Sequence, residues 1–364
     1  MPSAATELYE SVRDGQKRLP ERGKMKEEIL RQYLKIPGAR FNRTDECVTI
    51  PLPSDEEGTD GNIAIWFYRD LAMFNLIDIR SQTIPGFVED PVGPTRELKI
   101  NYCAEGRCEL KLKNGECTYL TAGEISVDAG QALNTYYYPT GSYRGYEIVI
   151  PIPKEGTSFT FMDEKFSVPD QLYEQCSMAN KPWIRSAGKF LPGFYDDFLY
   201  YVQNRYGREL IFIKCMELAA ALSKLDLAEV QVKRTYCTAS QVEIAKSVKE
   251  ILTKDLSRRF TAKELAGQFG ISETALKNYF RIVYGTGYAE YQQIKRMELS
   301  ARLLQETDDK IADIAMAVGY ATQPKFGAAF KACYGVTPLE YRRQNRLIEL
   351  KEGRESWHPS GEEY

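Results

Sequence analysis

Near the C-terminus one pattern of apolar and polar positions occurs twice. The first copy is KELAGQFGISETALKNYFRIVYG, residues 263–285; the second is ADIAMAVGYATQPKFGAAFKACYG, residues 312–335. Leu265-Ala266 and Gly270 match Ile314-Ala315 and Gly319 at an offset of 49. Leu276, Phe280 and Tyr284-Gly285 match Phe326, Phe330 and Tyr334-Gly335 at an offset of 50. Each copy predicts helix, tight turn, helix. Ala266 and Ala315 supply a small residue where two helices cross. Gly270 and Gly319 end the first helices, where a left-handed residue is wanted. Ser272 and Thr322 are the expected caps of the second helices, accepting from free backbone N–H groups. Pro324 suits a first turn, where a missing N–H costs little. Leu276–Phe280 and Phe326–Phe330 are i,i+4 pairs that anchor each second helix. Between the copies, Ile294, Met297, Ala301 and Leu304 predict a connecting helix over 288–306. A plain bundle of two helical hairpins is the competing reading.

Between residues 62 and 160 the pattern becomes that of strands. NIAIWFY, LKINYCA, RCELKL, ECTYL, EISV, TYYYP and YEIVIPI are short segments rich in β-branched and aromatic residues. Asn114-Gly115 predicts a hairpin, because both residues tolerate positive φ. Residues 121–124 and 139–142 predict further turns. Seven strands so close together suggest a small barrel or jelly roll. Residues 193–228 then predict two helices broken at Tyr206-Gly207. Leu210, Ile213, Leu218, Ala221, Leu222 and Leu225 form an apolar stripe that fits either a partner helix or the adjoining β domain.

Composition narrows the chemistry. Of 364 residues, 43% are hydrophobic and 27% charged, as in a globular protein with two or three domains. No apolar run approaches the roughly 20 residues needed to span a bilayer. No apolar signal core opens the chain. A cytoplasmic protein with no membrane partner is expected. The eight cysteines show no CxxC pair and read as small buried hydrophobes. Cys103, Cys108 and Cys117 are close enough in sequence to leave a redox or thiolate-metal role open. The single histidine, His358, stands in a polar tail. Histidine-ligated metal sites and Ser–His or Cys–His nucleophile pairs are therefore unavailable to the folded body. No catalytic residue, metal ligand or cofactor is expected, and the chain does not read as an enzyme. Residues 1–240 carry 29 Lys+Arg against 34 Asp+Glu, whereas residues 241–346 carry 17 against 12. A basic module on an acidic body suits a polyanionic partner for that module.

The second copy extends into IADIAMAVGYATQPKFGAAFKACYGVTPLEYRR, residues 311–343. Asp313-Ile314-Ala315, Val318-Gly319-Tyr320, Phe326, Phe330-Lys331, Gly335, Thr337-Pro338 and Tyr341-Arg342 resemble the signature of AraC/XylS-type regulators. The first copy matches through Leu265-Ala266, Ser272, Leu276, Phe280 and Gly285. The strong match covers about 100 residues. The resemblance implies a sequence-specific transcription regulator, here expected to be an activator. Two recognition helices would enter adjacent major grooves of double-stranded DNA, roughly 34 Å apart, with RNA polymerase as a second partner. The positions that read bases in the family fall on Ser272, Glu273, Thr274, Lys277 and Asn278 in the first copy. In the second they fall on Thr322, Gln323, Lys325 and Ala328, with Lys331 nearer the backbone. Asn can bond adenine bidentately and Lys can reach guanine acceptors. Pro324, Gly327 and Ala328 depart from the usual polar readers, so shape and backbone contacts carry more of the second half. Lys295, Arg296, Arg342 and Arg343 are either phosphate contacts or solvated surface.

The YCAEGRCEL and YLTAGEISV stretches resemble the cupin-like sensor domains of the same family. The expected fold is α+β, in six parts. Residues 1–60 are an extension of uncertain role. Residues 61–165 form a cupin-like ligand-sensing β domain, and residues 166–228 a helical segment that the resemblance assigns to homodimerisation. Residues 229–239 are a linker, 240–346 the double helix-turn-helix domain and 347–364 a polar tail. With no histidine in the barrel, a metal cupin is excluded and a small-molecule effector is expected. Trp66, Tyr68, Tyr102, Arg107, Tyr136 and Tyr138 are the candidate lining, suited to a planar or phenolic ligand. The general pattern also resembles a pyochelin-regulator-like subgroup, which implies an iron-siderophore effector. The alternatives are a DNA binder that needs no ligand, and a non-metal cupin enzyme with an attached DNA module.

Overall fold

The computed structural model describes residues 42–44, 47–52, 60–69, 71–84, 96–133, 137–152, 160–161, 164–179, 181–188, 191, 193–225 and 234–345. Tyr136, residues 229–233 of the linker, the 347–364 tail and most of the 1–60 extension lie outside them. The chain divides into two compact units, residues 1–239 and 240–364.

The first unit is built on one antiparallel sheet. Its strands are β1 (Asn42–Arg43), β2 (Val48–Leu52), β3 (Asp60–Tyr68), β4 (Ala72–Arg80), β5 (Glu97–Leu112), β6 (Cys117–Thr121), β7 (Glu124–Asp128), β8 (Ala132–Leu133), β9 (Tyr143–Pro151) and β12 (Trp183–Ser186). They run in the order β1-β2-β3-β4-β9-β5-β7-β12, with β6 and β8 also paired to β5. A separate hairpin pairs β10 (Thr160–Phe161) with β11 (Glu164–Lys165). Three helices follow within this unit: α1 (Val168–Ser177), α2 (Phe194–Gln203) and α3 (Arg208–Ser223). Among the described residues the strand path has two ends, so it is a strongly paired open sheet rather than a closed barrel.

The strand candidates show why both faces matter. Along β3, Ile63, Ile65 and Phe67 enter one apolar cluster, while Ala64 and Trp66 enter another on the opposite face. A strand buried on both sides reads as a continuous apolar run rather than an alternation. The first half of β4, AMFN, is likewise buried on both sides, and only Ile77–Arg80 alternates; β4 is absent from the strands predicted by sequence. Helices α1–α3 cover one face through Leu172, Phe198, Ile211, Phe212 and Leu218. The other face is closed by the sheet itself, where Leu110 and Leu120 from distal β5 and β6 meet Ile65 and Ile79.

The fold-back happens within β5. LKINYCA and RCELKL are not two strands but one of 16 residues, with a register shift between Cys103 and Glu105. Its first half pairs with β9 and β7, its second with β6 and β8. An extra residue in one strand bends and twists it locally. Gly106 sits at the bend with φ 84°, and a Cβ there would run into the Ser142 carbonyl. The hairpin at Asn114-Gly115 joins β5 to β6, with Asn114 Oδ1 accepting from Glu116 N at 3.0 Å. Gly207 caps the start of α3, so the helices break at Tyr206-Gly207.

The segment leaving this unit is tied down. Arg234 donates to Glu124 at 2.8 and 3.1 Å, to Thr118 Oγ1 at 3.2 Å and to the Tyr119 carbonyl. Cys237 and Cys117 exchange backbone hydrogen bonds at 2.7 and 2.9 Å. Residues 234–237 therefore run along β6 as an added edge.

The second unit is all helix: α4 (Ala239–Lys254), α5 (Ala262–Gln268), α6 (Glu273–Tyr284), α7 (Tyr288–Glu306), α8 (Ile311–Ala317) and α9 (Gln323–Tyr334). No described helix is long and apolar enough to cross a membrane.

Candidate nucleic-acid interface

The two sequence copies become two helix-turn-helix pairs, α5–α6 and α8–α9. Their turns close identically. Past α5, Ile271 N donates to Ala266 O at 3.2 Å, with Gly270 left-handed at φ 64°. Past α8, Tyr320 N donates to Ala315 O at 2.8 Å, with Gly319 at φ 81°. This is the six-to-one closure in which a left-handed residue lets the chain reverse and satisfy a free helix carbonyl. Gly319 has a second task. A Cβ there would collide with the Ser257 carbonyl and lie 3.0 Å from Arg296 Cζ. The second turn thus packs directly on the loop before α5.

Ser272 starts α6, its side chain accepting from Ala275 N at 3.1 Å. Thr322 occupies the matching place before α9 but makes no side-chain cap, which corrects the expectation for that residue. Pro324 removes one of the two N–H groups such a cap would bond. Left-handed Gly285 and Gly335 close the two helices.

The cores repeat in three dimensions. Phe280 and Tyr284 lie 4.5 Å apart at 33°, and Phe330 and Tyr334 lie 4.6 Å apart at 33°. Tyr291 meets Phe280 edge-on at 5.5 Å, as Tyr341 meets Phe330 at 5.3 Å. Gln292 Nε2 donates to Leu252 O and Arg258 O at 3.4 and 2.9 Å. Fifty residues on, Arg342 donates to Leu304 O and Asp309 O at 3.3 and 2.7 Å. Both side chains brace the loop that precedes a helix-turn-helix pair. Arg296 is 4% exposed and donates to Arg258 O at 2.8 Å. Burial, reinforced by nearby Arg259, lowers its pKa. Arg296 and Arg342 are therefore internal braces, and Lys295 pairs with Glu298 at 2.7 Å. Of the four basic residues, Arg343 is the exposed one.

Burying Leu276, Phe280 and Val283 turns the rest of α6 outward. Ser272, Glu273, Thr274, Lys277 and Asn278 are all exposed. Phe326 and Phe330 do the same for α9, leaving Thr322, Gln323, Lys325, Ala328 and Lys331 exposed. Lys277 lies 3.7 Å from Glu273, so it starts within an ion pair of the same helix. Arg281, one turn beyond Lys277, is exposed on the same side and was missed by sequence reasoning. Its i,i+4 spacing from Lys277 was the available signal.

In the first unit the five described candidate ligand residues do not share one face. Trp66, 7% exposed, packs with the helix-side cluster. Tyr68 stacks on Phe212 at 3.9 Å and Tyr102 on Tyr146 at 5.3 Å, also on that side. Tyr138 is buried in the opposite cluster, stacked on Tyr143 at 4.9 Å. Arg107 lies 5.0 Å over the Tyr119 ring. Sequence reasoning had no access to the face on which each strand residue lands. The cleft between Trp66, Tyr68 and Phe212 has a volume of about 10 Å³, room for one water. Cys103 is buried with its thiol pushed up to about 12 by burial. Among the described residues no three His, Cys, Asp or Glu side chains are grouped to hold a metal ion.

A helix-turn-helix domain family matches residues 265–344. A protein described as an AraC-like transcription regulator in Streptomyces lividans is 36% identical over 92 residues, covering 25% of this chain and 30% of its own length. Regulatory protein SoxS of Salmonella typhimurium is 30% identical over 105 residues, 29% of this chain and 98% of SoxS. The C-terminal domain of AraT, a response regulator from Geobacillus stearothermophilus, is 32% identical, with 28% and 84% coverage and a TM-score of 0.27. This chain thus spans about a third of the Streptomyces relative. Through its duplicated helix-turn-helix unit, the chain belongs to the AraC family of DNA-binding transcription regulators.

Proposed function

We propose that this protein is a sequence-specific transcription regulator whose helices α6 and α9 enter adjacent major grooves of one duplex. It acts by binding rather than by catalysis, with RNA polymerase as a second partner. The observation that carries the reading is the duplicated exposure: Leu276 and Phe280 are buried as Phe326 and Phe330 are fifty residues on, and polar positions of both helices face outward. Lys277, Asn278 and Arg281 offer base and phosphate contacts from α6. Gln323, Lys325 and Lys331 offer them from α9. A genome-wide DNA-binding map followed by footprinting tests this. The expected footprint covers two major-groove segments one helical turn apart, roughly 34 Å. Protection of a single groove, or none, overturns it.

The first unit is the regulatory half, holding a small-molecule effector and pairing two copies of the chain. Tyr200 on α2, Tyr206 between the helices, and Leu210 and Ile213 on α3 are exposed large apolar residues that suit a homodimer contact. Arg234, clamped to Glu124, connects effector occupancy to the segment that leads into α4. An effector shifts regulation only through different affinities for two states. Titrating an iron-siderophore, an aromatic acid or another candidate against the DNA-bound chain should change operator affinity. Sedimentation should show a dimer that Leu210→Glu disrupts.

A further inference from the structure

The inner face of the sheet carries a polar row beside the apolar cluster, with Lys99 and Asp128 one pleat along. Register places Asn75 of β4 opposite Glu147 of β9, Glu147 opposite Asn101 of β5, and Asn101 opposite Ser126 of β7. The same line continues into Ile65 of β3 on one side and Ile184 of β12 on the other, both buried. Met73 and Val149 lie beside the row, one pleat along. Asn75 and Ser126 are 1% and 3% exposed.

Such a row is costly unless its groups are satisfied. Glu147 accepts from Asn75 Nδ2 at 3.1 Å and from Asn101 Nδ2 at 3.3 Å, both neutral amides. Among the described residues it has no ion-pair partner. Lys99, one pleat away, pairs with Glu97 at 2.9 Å. Asn75 Oδ1 has no hydrogen-bond partner among the described residues although it is buried. Two acceptors thus lie in one row, and one cation, Lys99, is shared among the carboxylates of Glu97, Glu147 and Asp128. Burial pushes the Glu147 carboxyl up, with nearby Lys99 opposing. Glu147 and Asn101 still keep some accessible surface.

We propose that the row Asn75–Glu147–Asn101–Ser126 is a binding site for a small organic cation carrying N–H donors, an amine or a guanidine. Its charge pairs with Glu147, a second N–H reaches Asn75 Oδ1, and its carbon skeleton lies against Met73 and Val149. The site deepens the proposal that the first unit holds the effector, and rests on it for its role. It also lies close to the exit segment. Glu124, which holds Arg234, is two residues from Ser126 on the same face of β7.

The test is calorimetry and thermal melting of the full chain with 1,4-diaminobutane, agmatine and benzylamine, beside the neutral 1,4-butanediol and benzyl alcohol. At least one amine should bind and raise the melting midpoint, and the alcohols should not. Glu147→Gln should weaken that amine at least about tenfold. This variant keeps the shape of the row, because the Asn75 amide can turn its free oxygen toward the new amide. Asn75→Leu, a near-isosteric change, should weaken the same amine and serves if Glu147→Gln does not fold. Failure of every amine to bind below about 10 mM overturns the proposal. Equal binding by wild type and Glu147→Gln also overturns it, while leaving an effector site elsewhere in the unit. Amine binding that depends on Glu147 but leaves operator affinity unchanged keeps the site and overturns its regulatory role.

Discussion

The two helix-turn-helix halves share a core and differ in their surfaces. Phe280, Tyr284 and Tyr291 pack with nearly the same distances and angles as Phe330, Tyr334 and Tyr341. On the outside, α6 offers Glu273, Lys277, Asn278 and Arg281, whereas α9 offers Gln323, Lys325 and Lys331 around Pro324, Gly327 and Ala328. The difference separates two jobs. The repeated interior holds each second helix in place, and the exterior is free to diverge; under the proposed function, α6 would supply more of the base-reading groups and α9 would rely more on backbone and shape.

The largest expected effect tests the shared interior. Phe280→Ala and Phe330→Ala should each destabilise by about 3–5 kcal/mol, read by chemical denaturation. A large inequality between them would mean that the halves are not equivalent scaffolds. The glycines come next. Gly319→Ala forces a left-handed residue and a clash with the Ser257 carbonyl, and should cost more than about 2 kcal/mol. Gly270→Ala meets open space and should cost only the left-handed strain, about 1 kcal/mol. Equal losses would remove the contact between the second turn and the first half.

The exterior is tested by DNA affinity. Lys277→Ala should cost about 1–3 kcal/mol and relax selection at one base pair, whereas Lys331→Ala should weaken all sequences alike and reduce the salt slope. Uniform weakening by Lys277→Ala would make both halves backbone binders. The smallest effect concerns the caps. Ser272→Ala should destabilise by about 1 kcal/mol. Thr322→Ala should stay within about 0.5 kcal/mol, since its side chain makes no capping bond.

How far sequence reaches differs sharply between the units. The helical repeat is legible because its signals are local. Caps, glycine stops and i,i+4 apolar pairs lie within a few residues of what they control. Locality also explains the misreadings there. Arg296 and Arg342 look like free surface cations, but each finds a backbone carbonyl more than thirty residues away. In the β unit the individual strands are mostly visible, yet their partners are not. The row at Glu147 joins side chains 72 and 46 residues apart, and no local period announces it.

The chain's own order of residues therefore determined where helices begin and stop in the second unit, which of their faces is apolar, and that the motif occurs twice. Tertiary structure alone decided that β9 lies between β4 and β5, that Trp66 and Tyr138 point to opposite faces, and which arginines became braces. The reason is the range of the interactions. Helix ends are set by hydrogen bonds between near neighbours, whereas a sheet's faces and a buried polar row exist only after distant strands have found their register.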